Sequence, residues 1–326
     1  MTILVTGGAG YIGSHMALAL VHAGEAVAVL DDLSTGQERL IPPEAAFHKG
    51  DIGDEALLSL IFREHDIEAV VHFAGSIVVP ESIADPLGYY LNNTVKSRTL
   101  LAAAVKHKVR HFIFSSTAVV YCPSEPMPLA ETARINPISP YGASKVMTER
   151  MLADAAVAHD LTYCVLRYFN VAGADPAGRV GQSSPKATHL IKTACLTALG
   201  KRERLDIFGT DYPTHDGTAL RDYIHVSDLA QAHLDALRYL RGRGTSQVMN
   251  VGYGRGYSVL EVIDTVKRVA GVNFPVEKRS RRPGDPAELV SDPRLIREIL
   301  GWTPRYDDLP LIVEHALNWE RKLAAG

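Results

Sequence analysis

A parallel, doubly wound α/β sheet with a smaller C-terminal α/β lobe is the fold class that three observations predict. Short apolar runs alternate with helical patterns through the first half of the chain, which is how a parallel sheet with right-handed crossovers reads in sequence. The first of those runs ends in Gly7-Gly8-Ala9-Gly10-Tyr11-Ile12-Gly13 and passes directly into a helical pattern. Beyond Asn170 the alternation gives way to a stretch richer in loops, the mark of a second lobe. With 326 residues, 46% of them hydrophobic, the chain can bury one large domain or two interlocked ones. The expected division is a first domain over 1–170, rejoined by later segments at about 210–252, and a second lobe over 171–326.

Thr2 to Thr6 forms the opening strand. The glycines at 7, 10 and 13 let the backbone turn tightly, approach a pyrophosphate and pack helix on strand, while the helix N-terminus faces the phosphates. This is a Rossmann-type dinucleotide signature. The next strand, Ala26 to Leu30, ends in Asp31-Asp32, and Asp31 stands 18 residues beyond Gly13, near the spacing of a ribose-binding carboxylate. An acid there repels a 2′-phosphate, which favours NAD over NADP. After a further strand comes His48-Lys49-Gly50-Asp51-Ile52, and two readings of Asp51 stand: a contact to the adenine amine, or a solvated strand-end carboxylate. Helix Glu55 to Glu64 leads to strand Ala69 to Phe73, closed by Ala74-Gly75, a small-residue turn that lets backbone approach a ligand. A long helix from about Tyr89 to His107 carries Asn92 and Asn93, where one asparagine orienting a cofactor and a capping or solvent role are both open.

Strand His111 to Ser115 ends in Ser116-Thr117, hydroxyls at the strand ends where α/β sheets bind ligands. Ser139 then caps a helix with Pro140 in its first position, and Tyr141 and Lys145 follow four residues apart on one face. A tyrosine ionises near pH 10, so its use as a base near pH 7 requires about 4 kcal/mol of help. The helix dipole supplies only about 0.3 to 1 kcal/mol, which leaves most of the work to a fixed cation such as Lys145. The plain alternative is a half-buried tyrosine beside a solvated lysine. Strand Thr162 to Arg167 ends at Tyr168-Phe169-Asn170, and later helices are expected at Val226 to Arg241, Val259 to Ala270, Arg294 to Leu300 and Leu309 to Lys322, with strand Gln247 to Val251 returning to the main sheet.

Composition removes several function classes. A net charge of -3 without a long basic tract gives no nucleic-acid surface. Cys122, Cys164 and Cys195 are odd in number and far apart, so neither a disulfide framework nor a Cys-x-x-Cys metal site is expected, and a reducing compartment is. No signal peptide and no membrane-length apolar run precede or interrupt the pattern, so a cytoplasmic protein without membrane partners is expected. The 13 histidines show no His-Glu-x-x-His grouping, and no metal is expected.

Five stretches give the chain a family resemblance that runs essentially end to end: GGAGYIGSH (Gly7 to His15), HFAG (His72 to Gly75), PYGASK (Pro140 to Lys145), RYFNVAG (Arg167 to Gly173) and DYPTHDGTALRDYIHV (Asp211 to Val226). The chain resembles the extended short-chain dehydrogenases/reductases and, more narrowly, the UDP-glucose 4-epimerases. The resemblance implies NAD-dependent, reversible epimerisation at C4 of a UDP-hexose through a transient 4-keto sugar, with NAD bound throughout and a homodimer as the assembly. It makes Thr117, Tyr141 and Lys145 catalytic. Toward NAD it places Gly7, Gly10, Gly13, Asp31, Asp51, Phe73, Asn92, Lys145 and Tyr168, together with their neighbours Tyr11, Ile12, Asp32, Ile52, Ala74, Gly75, Ser115 and the reactive Tyr141.

Toward the UDP-sugar it places Asn170, His189, Leu190, Phe208, Arg221, Tyr223, Arg282 and Asp285 beside Thr117. Arg221 and Arg282 carry guanidinium forks suited to a pyrophosphate. In Arg279-Ser280-Arg281-Arg282 the expectation is that Arg282 takes phosphate while its neighbours face water. Leu289 falls where a bulky tyrosine restricts the family to UDP-glucose and UDP-galactose and a small residue admits N-acetylated sugars; leucine is intermediate. Two departures are Thr117, often serine, and Ile77, a lysine near the cofactor in some members. Rival readings are a nucleotide-sugar dehydratase or decarboxylase, which carries an acid directly after the catalytic hydroxyl where this chain has Ala118, and a non-catalytic NAD-binding protein.

Overall fold

The chain builds its sheet outward from its first strand, as seen in a computed structural model that describes residues 1–184, 188–282 and 285–325. In chain order the first half runs β1 (Thr2–Thr6), α1 (Tyr11–His22), β2 (Ala26–Asp31), β3 (Ala46–Lys49), α2 (Glu55–Glu64), β4 (Ile67–His72), α3 (Val79–Ala84), α4 (Pro86–Tyr90), α5 (Lys96–Lys106), β5 (His111–Thr117), α6 (Pro140–Ala158) and β6 (Thr162–Tyr168). The second half adds β7 (Asn170–Ala172), α7 (Leu190–Ala198), β8 (Leu205–Phe208), β9 (Leu220–His225), α8 (Val226–Arg241), β10 (Gln247–Val251), β11 (Gly256–Ser258), α9 (Val259–Ala270), β12 (Val276–Arg279), β13 (Glu288–Leu289), α10 (Arg294–Leu300) and α11 (Leu309–Ala325). Seven strands form one sheet in the order β10-β6-β5-β4-β1-β2-β3, every pair parallel.

Both faces of that sheet are covered, as a parallel sheet requires. Ile3, Val5, Val29, Val71 and Ile113 point to one side and share a core with Met16 and Leu20 of α1 and Leu229 and Leu237 of α8. Leu4, Leu30, Val70, Phe112 and Phe114 point to the other and meet Leu58 and Ile61 of α2, Leu100 of α5 and Leu152 of α6. The strict alternation in the strands is the period-two geometry of extended backbone. Strand β9 pairs with β7, β11 and β13 in a separate small sheet, and β8 pairs with β12, while α8 packs on α1, β5 and β6. Among the described residues no helix is long and apolar enough to cross a membrane.

Two local expectations change. The helix expected over Tyr89 to His107 is interrupted by a π turn at Leu91–Val95 between α4 and α5. The cause is the Asn93 carbonyl, which accepts from the Ser97 hydroxyl at 2.6 Å and from the Thr148 hydroxyl of α6 at 3.1 Å, so the regular ladder widens around it. Strand β5 does not end at Ser115 but continues to Thr117, because β6 continues beside it to Tyr168.

Candidate active site

The carboxyl ends of β1, β2, β4, β5 and β6 open on one edge of the sheet, and the sequence places its chemistry there. Gly7 has a left-handed φ of 71°, and a Cβ on it would lie 2.6 Å from the Ala74 amide nitrogen; a Cβ on Gly13 would lie 2.1 Å from the Gly7 carbonyl oxygen. Only glycine allows strand, turn and helix to approach this closely. Gly10 occupies the N-cap of α1 without any side-chain cap, which leaves the amides of the first turn, Tyr11, Ile12 and Gly13, to take an anion. The Tyr11 phenol is not part of that surface: it donates to the Gly173 carbonyl at 2.7 Å, so Tyr11 can serve a cofactor only through its backbone.

Asp31 ends β2 and its carboxylate accepts from the Ala9 amide at 2.9 Å and the Leu33 amide at 2.8 Å. Burial pushes its pKa up, against the two amides. Each oxygen keeps a lone pair for ribose hydroxyls. Asp32 turns away and binds the Ser34 amide and hydroxyl. Asp51 is paired with Lys96 and accepts from the Gly53 amide at 2.7 Å; burial pushes its carboxyl up, but the Lys96 ammonium and that amide hold it below the ordinary range. It is thus a paired carboxylate that still reaches solvent, its side chain 39% exposed, and both readings of it stand. Ile52 beside it is buried.

The reactive group forms where α6 begins. Ser139 caps the helix through the Gly142 amide at 3.2 Å, which fixes Tyr141 in the first turn and Lys145 one turn on. Lys145 is 3% exposed and its ammonium donates to the Ser115 carbonyl at 2.9 Å, lies 4.9 Å from the Phe114 ring centre and 6.0 Å from that of Tyr141. A Cβ on Gly75 would come within 3.9 Å of the same nitrogen. Burial pushes the Lys145 pKa down to about 8, against the carboxylate of Glu149. Burial pushes the Tyr141 phenol up to about 12, and the nearby Thr117 hydroxyl opposes that rise. Phe73 and Tyr168 flank the site through a shared neighbour: the His233 ring lies 4.9 Å from the ring of Phe73, and its Nε2 is 2.5 Å from the Tyr168 hydroxyl.

Of the two asparagines, Asn92 donates to the Ser76 hydroxyl at 2.9 Å, whereas Asn93 is buried and ties the Ser76 backbone to the Ser144 hydroxyl of α6. Asn93 thus fixes the Gly75 turn against the helix that carries Tyr141. A second group is larger. Glu149 accepts from the Ser116 hydroxyl and, through both oxygens, from Arg167 at 3.1 and 2.6 Å, while Arg167 also donates to the Tyr121 hydroxyl at 3.0 Å. This buried network locks the end of β5 to α6. Tyr141, Lys145 and Glu149 share one helix face at four-residue spacing, and Arg167 is a lone charge in an apolar strand; those were the available signals.

On the other wall, Asn170 and Tyr223 stand opposite each other where β7 pairs with β9, and Tyr223 is buried. Leu289 lies opposite Arg221 on β13 and packs near Ala118, the residue after Thr117. Arg282 stacks on Phe208, with its guanidinium carbon 3.9 Å from the ring centre. Arg221 and Asp285 bind each other at 2.5 Å. Arg279 and Arg281 are exposed and form surface ion pairs: Arg279 with Asp206 and Glu277, and Arg281 with Asp211. His189 and Leu190 open α7; His189 is exposed and lines a small cavity with Tyr11 and Gly173.

The observed site fits a dinucleotide. A glycine cradle that any Cβ would fill, an uncapped helix N-terminus and a buried ammonium with one protein acceptor among the described residues are the features such a ligand needs. The model of the NAD dependent epimerase/dehydratase family matches residues 3–252. A UDP-glucose 4-epimerase of Azospirillum brasilense is 57% identical over 98% of this chain and 92% of its own length. A crystal structure of a UDP-glucose 4-epimerase superposes with a TM-score of 0.98 at 45% identity, covering 100% of this chain and 99% of that one. That of the Bifidobacterium longum UDP-glucose 4-epimerase, in complex with NAD+ and UDP, gives 0.94 at 36% identity and covers 100% of both chains. Matched in this way over most of its length, with the glycine turn and the Tyr141–Lys145 pair in place, the chain belongs to the NAD dependent epimerase/dehydratase family.

Proposed function

We propose that this chain interconverts UDP-glucose and UDP-galactose by inverting C4 of the sugar, using NAD that stays bound. The observation that carries the reading is the convergence of the Thr117 hydroxyl, the Tyr141 phenol and the buried Lys145 ammonium at the end of β5, on the same sheet edge as the glycine turn. NAD, when bound, supplies at C4 the acceptor and donor of a hydride and, oxidised, a positive charge. Gly10, Gly13 and the first-turn amides of α1 hold its pyrophosphate, Asp31 its adenosine ribose, and Lys145 its second ribose through the N–H bonds that Ser115 leaves free. Phe73, Gly75, Asn92 and Tyr168 complete that wall, and Asp51 lies toward the adenine.

Tyr141, as phenolate, removes the proton of the sugar 4-hydroxyl, and Thr117 holds the same oxygen. Burial opposes that ionisation, so Lys145 is required as the fixed cation beside it. The flat 4-keto sugar turns over while its UDP stays anchored, and Tyr141 returns the proton to the inverted alcohol. Arg282, held flat on Phe208, offers its fork to the pyrophosphate, Arg221 adds a second positive charge, and Asp285 accepts from the uridine ribose. Asn170, His189, Leu190 and Tyr223 complete the sugar side. Leu289 limits the sugar's size, and its intermediate bulk leaves some turnover of N-acetylated or pentose forms. Ala118 and Val119 follow Thr117 where elimination chemistry needs an acid.

The same reading divides the chain into an NAD-binding lobe of residues 1–170 with the returning α8 and β10, and a UDP-sugar lobe from the remainder. A homodimer fits it as well: Leu87, Leu91 and Val95, spaced by four and 78%, 54% and 51% exposed, form an apolar stripe beside the exposed Met147 of α6. The three free, buried cysteines fit a cytoplasmic setting. The test is to incubate pure protein with a panel of UDP-sugars without added NAD. Interconversion of UDP-glucose and UDP-galactose is expected; a product that has lost water or carbon dioxide, or no product, overturns the reading. Leu91→Lys should convert a dimer to monomers in sedimentation, and an unchanged mass would remove that face as the interface.

A further inference from the structure

On the outer edge of the main sheet, away from the reactive tyrosine, three further chemistry-bearing side chains converge. His48 is carried by the edge strand β3, and His65 is the residue that ends α2, the helix that returns from β3. That return brings the two imidazoles together at their Nε2 corners, with the ring planes nearly perpendicular at 81°: their Nε2 atoms are 2.8 Å apart and their ring centres 5.0 Å. Glu64, the last residue of α2, adds a carboxylate, and one ligand atom from each of the three lies within 4.8 Å of the others. Among the described residues this is the one place where three histidine, cysteine or carboxylate side chains meet so closely. The rings are half-buried and the carboxylate is exposed, so an ion has an open path in from solvent.

The two nitrogens now share one proton between two lone pairs. A divalent cation replaces that proton with little movement. Zinc–imidazole bonds of about 2.0–2.1 Å at a tetrahedral angle put two nitrogens roughly 3.3 Å apart, about half an ångström wider than here. We propose that His48, Glu64 and His65 form a binding site for a divalent transition cation of the zinc class, with solvent in the fourth position. Two imidazoles against one carboxylate select such a cation over magnesium or calcium, which demand oxygen ligands. The ion joins β3 to the end of α2, and β3 leads within three residues to Asp51. Its effect is therefore on the firmness of that edge and not on the reaction.

The experiment uses the NAD-loaded protein, stripped with chelator and titrated with zinc alone in a calorimeter. One zinc per chain is expected, with a raised melting temperature. Cobalt in place of zinc should show visible absorption bands of a low-symmetry site, and millimolar magnesium should give no heat. His48→Ala and His65→Ala should each weaken zinc binding by at least about tenfold, since even outer-shell losses cost that much. Exposed Glu64→Gln, which leaves both rings and the helix intact, should weaken it and abolish the thermal shift. Absence of zinc uptake by the parent protein, or uptake unchanged in Glu64→Gln and either histidine variant, overturns the proposal.

Discussion

Replacing Lys145 with methionine keeps the length and apolar stem of the side chain while deleting the charge that the mechanism rests on. The lysine ammonium lies 6.0 Å from the centre of the Tyr141 ring. At an effective dielectric constant of about 20, a unit charge at that distance favours the phenolate by about 3 kcal/mol. At 1.36 kcal/mol per unit, that is about two pKa units. Burial works against the phenolate, so removal of the cation moves the phenol further from the working range. The fraction of Tyr141 ionised near neutral pH therefore falls by about a hundredfold, and kcat falls with it. The assay is the conversion of UDP-galactose to UDP-glucose across pH 6 to 9, expressed per NAD-containing site so that lost cofactor does not enter. In Lys145→Met the acid limb should move upward by about two units and the rate should recover as pH rises. A variant whose kcat at pH 7 is within about threefold of the parent, or whose acid limb has not moved, would refute the assignment of Lys145 as the cation that ionises Tyr141.

Arg282→Ala removes a guanidinium from the proposed pyrophosphate contact; a hydrogen bond to a charged group contributes about 1.5–3 kcal/mol, so KM for the UDP-sugar should rise about 10- to 150-fold with kcat little changed, and an unchanged KM would move the pyrophosphate elsewhere. Leu289→Tyr should lower turnover of UDP-N-acetylglucosamine relative to UDP-glucose; equal ratios in parent and variant would remove Leu289 as the gate. Burial pushes His72 down to about 3, helped by the charge of Lys145, and pushes His15 and His233 down to about 4. In the unfolded chain these rings take up a proton near pH 6.5, so below that the unfolded state binds more protons and stability is lost on acidification from about 6.5 toward 4. The melting temperature should fall across that window, and less steeply in His72→Gln; a flat profile would contradict the sign.

The parts of the site that rest on local chemistry could be read along the chain. The glycines at 7, 10 and 13, the acid that ends β2 and the Ser139 cap before Tyr141 each follow from a constraint spanning a few residues, and each stands in the structure where that constraint puts it. What could not be read depends on partners distant in sequence. The π turn at Leu91–Val95 arises because a hydroxyl of α6 claims the Asn93 carbonyl. The Glu149–Arg167–Ser116 network joins α6 to two strands, and no segment alone announces it. Arg221 and Asp285, each assigned to a ligand by resemblance, are 64 residues apart, and their pairing with one another was not legible from either segment. His48 and His65 escape any search for ligands on one helix face, because a strand and a helix end bring them together.

In the proposed reaction the same hydrogen leaves C4 and returns to it while Tyr141 handles only the hydroxyl proton. UDP-galactose deuterated at C4 tests it directly. Incubated with the pure protein in ordinary water and without added NAD, it should give UDP-glucose that keeps its deuterium at C4. Product with hydrogen from solvent at C4 would contradict the account.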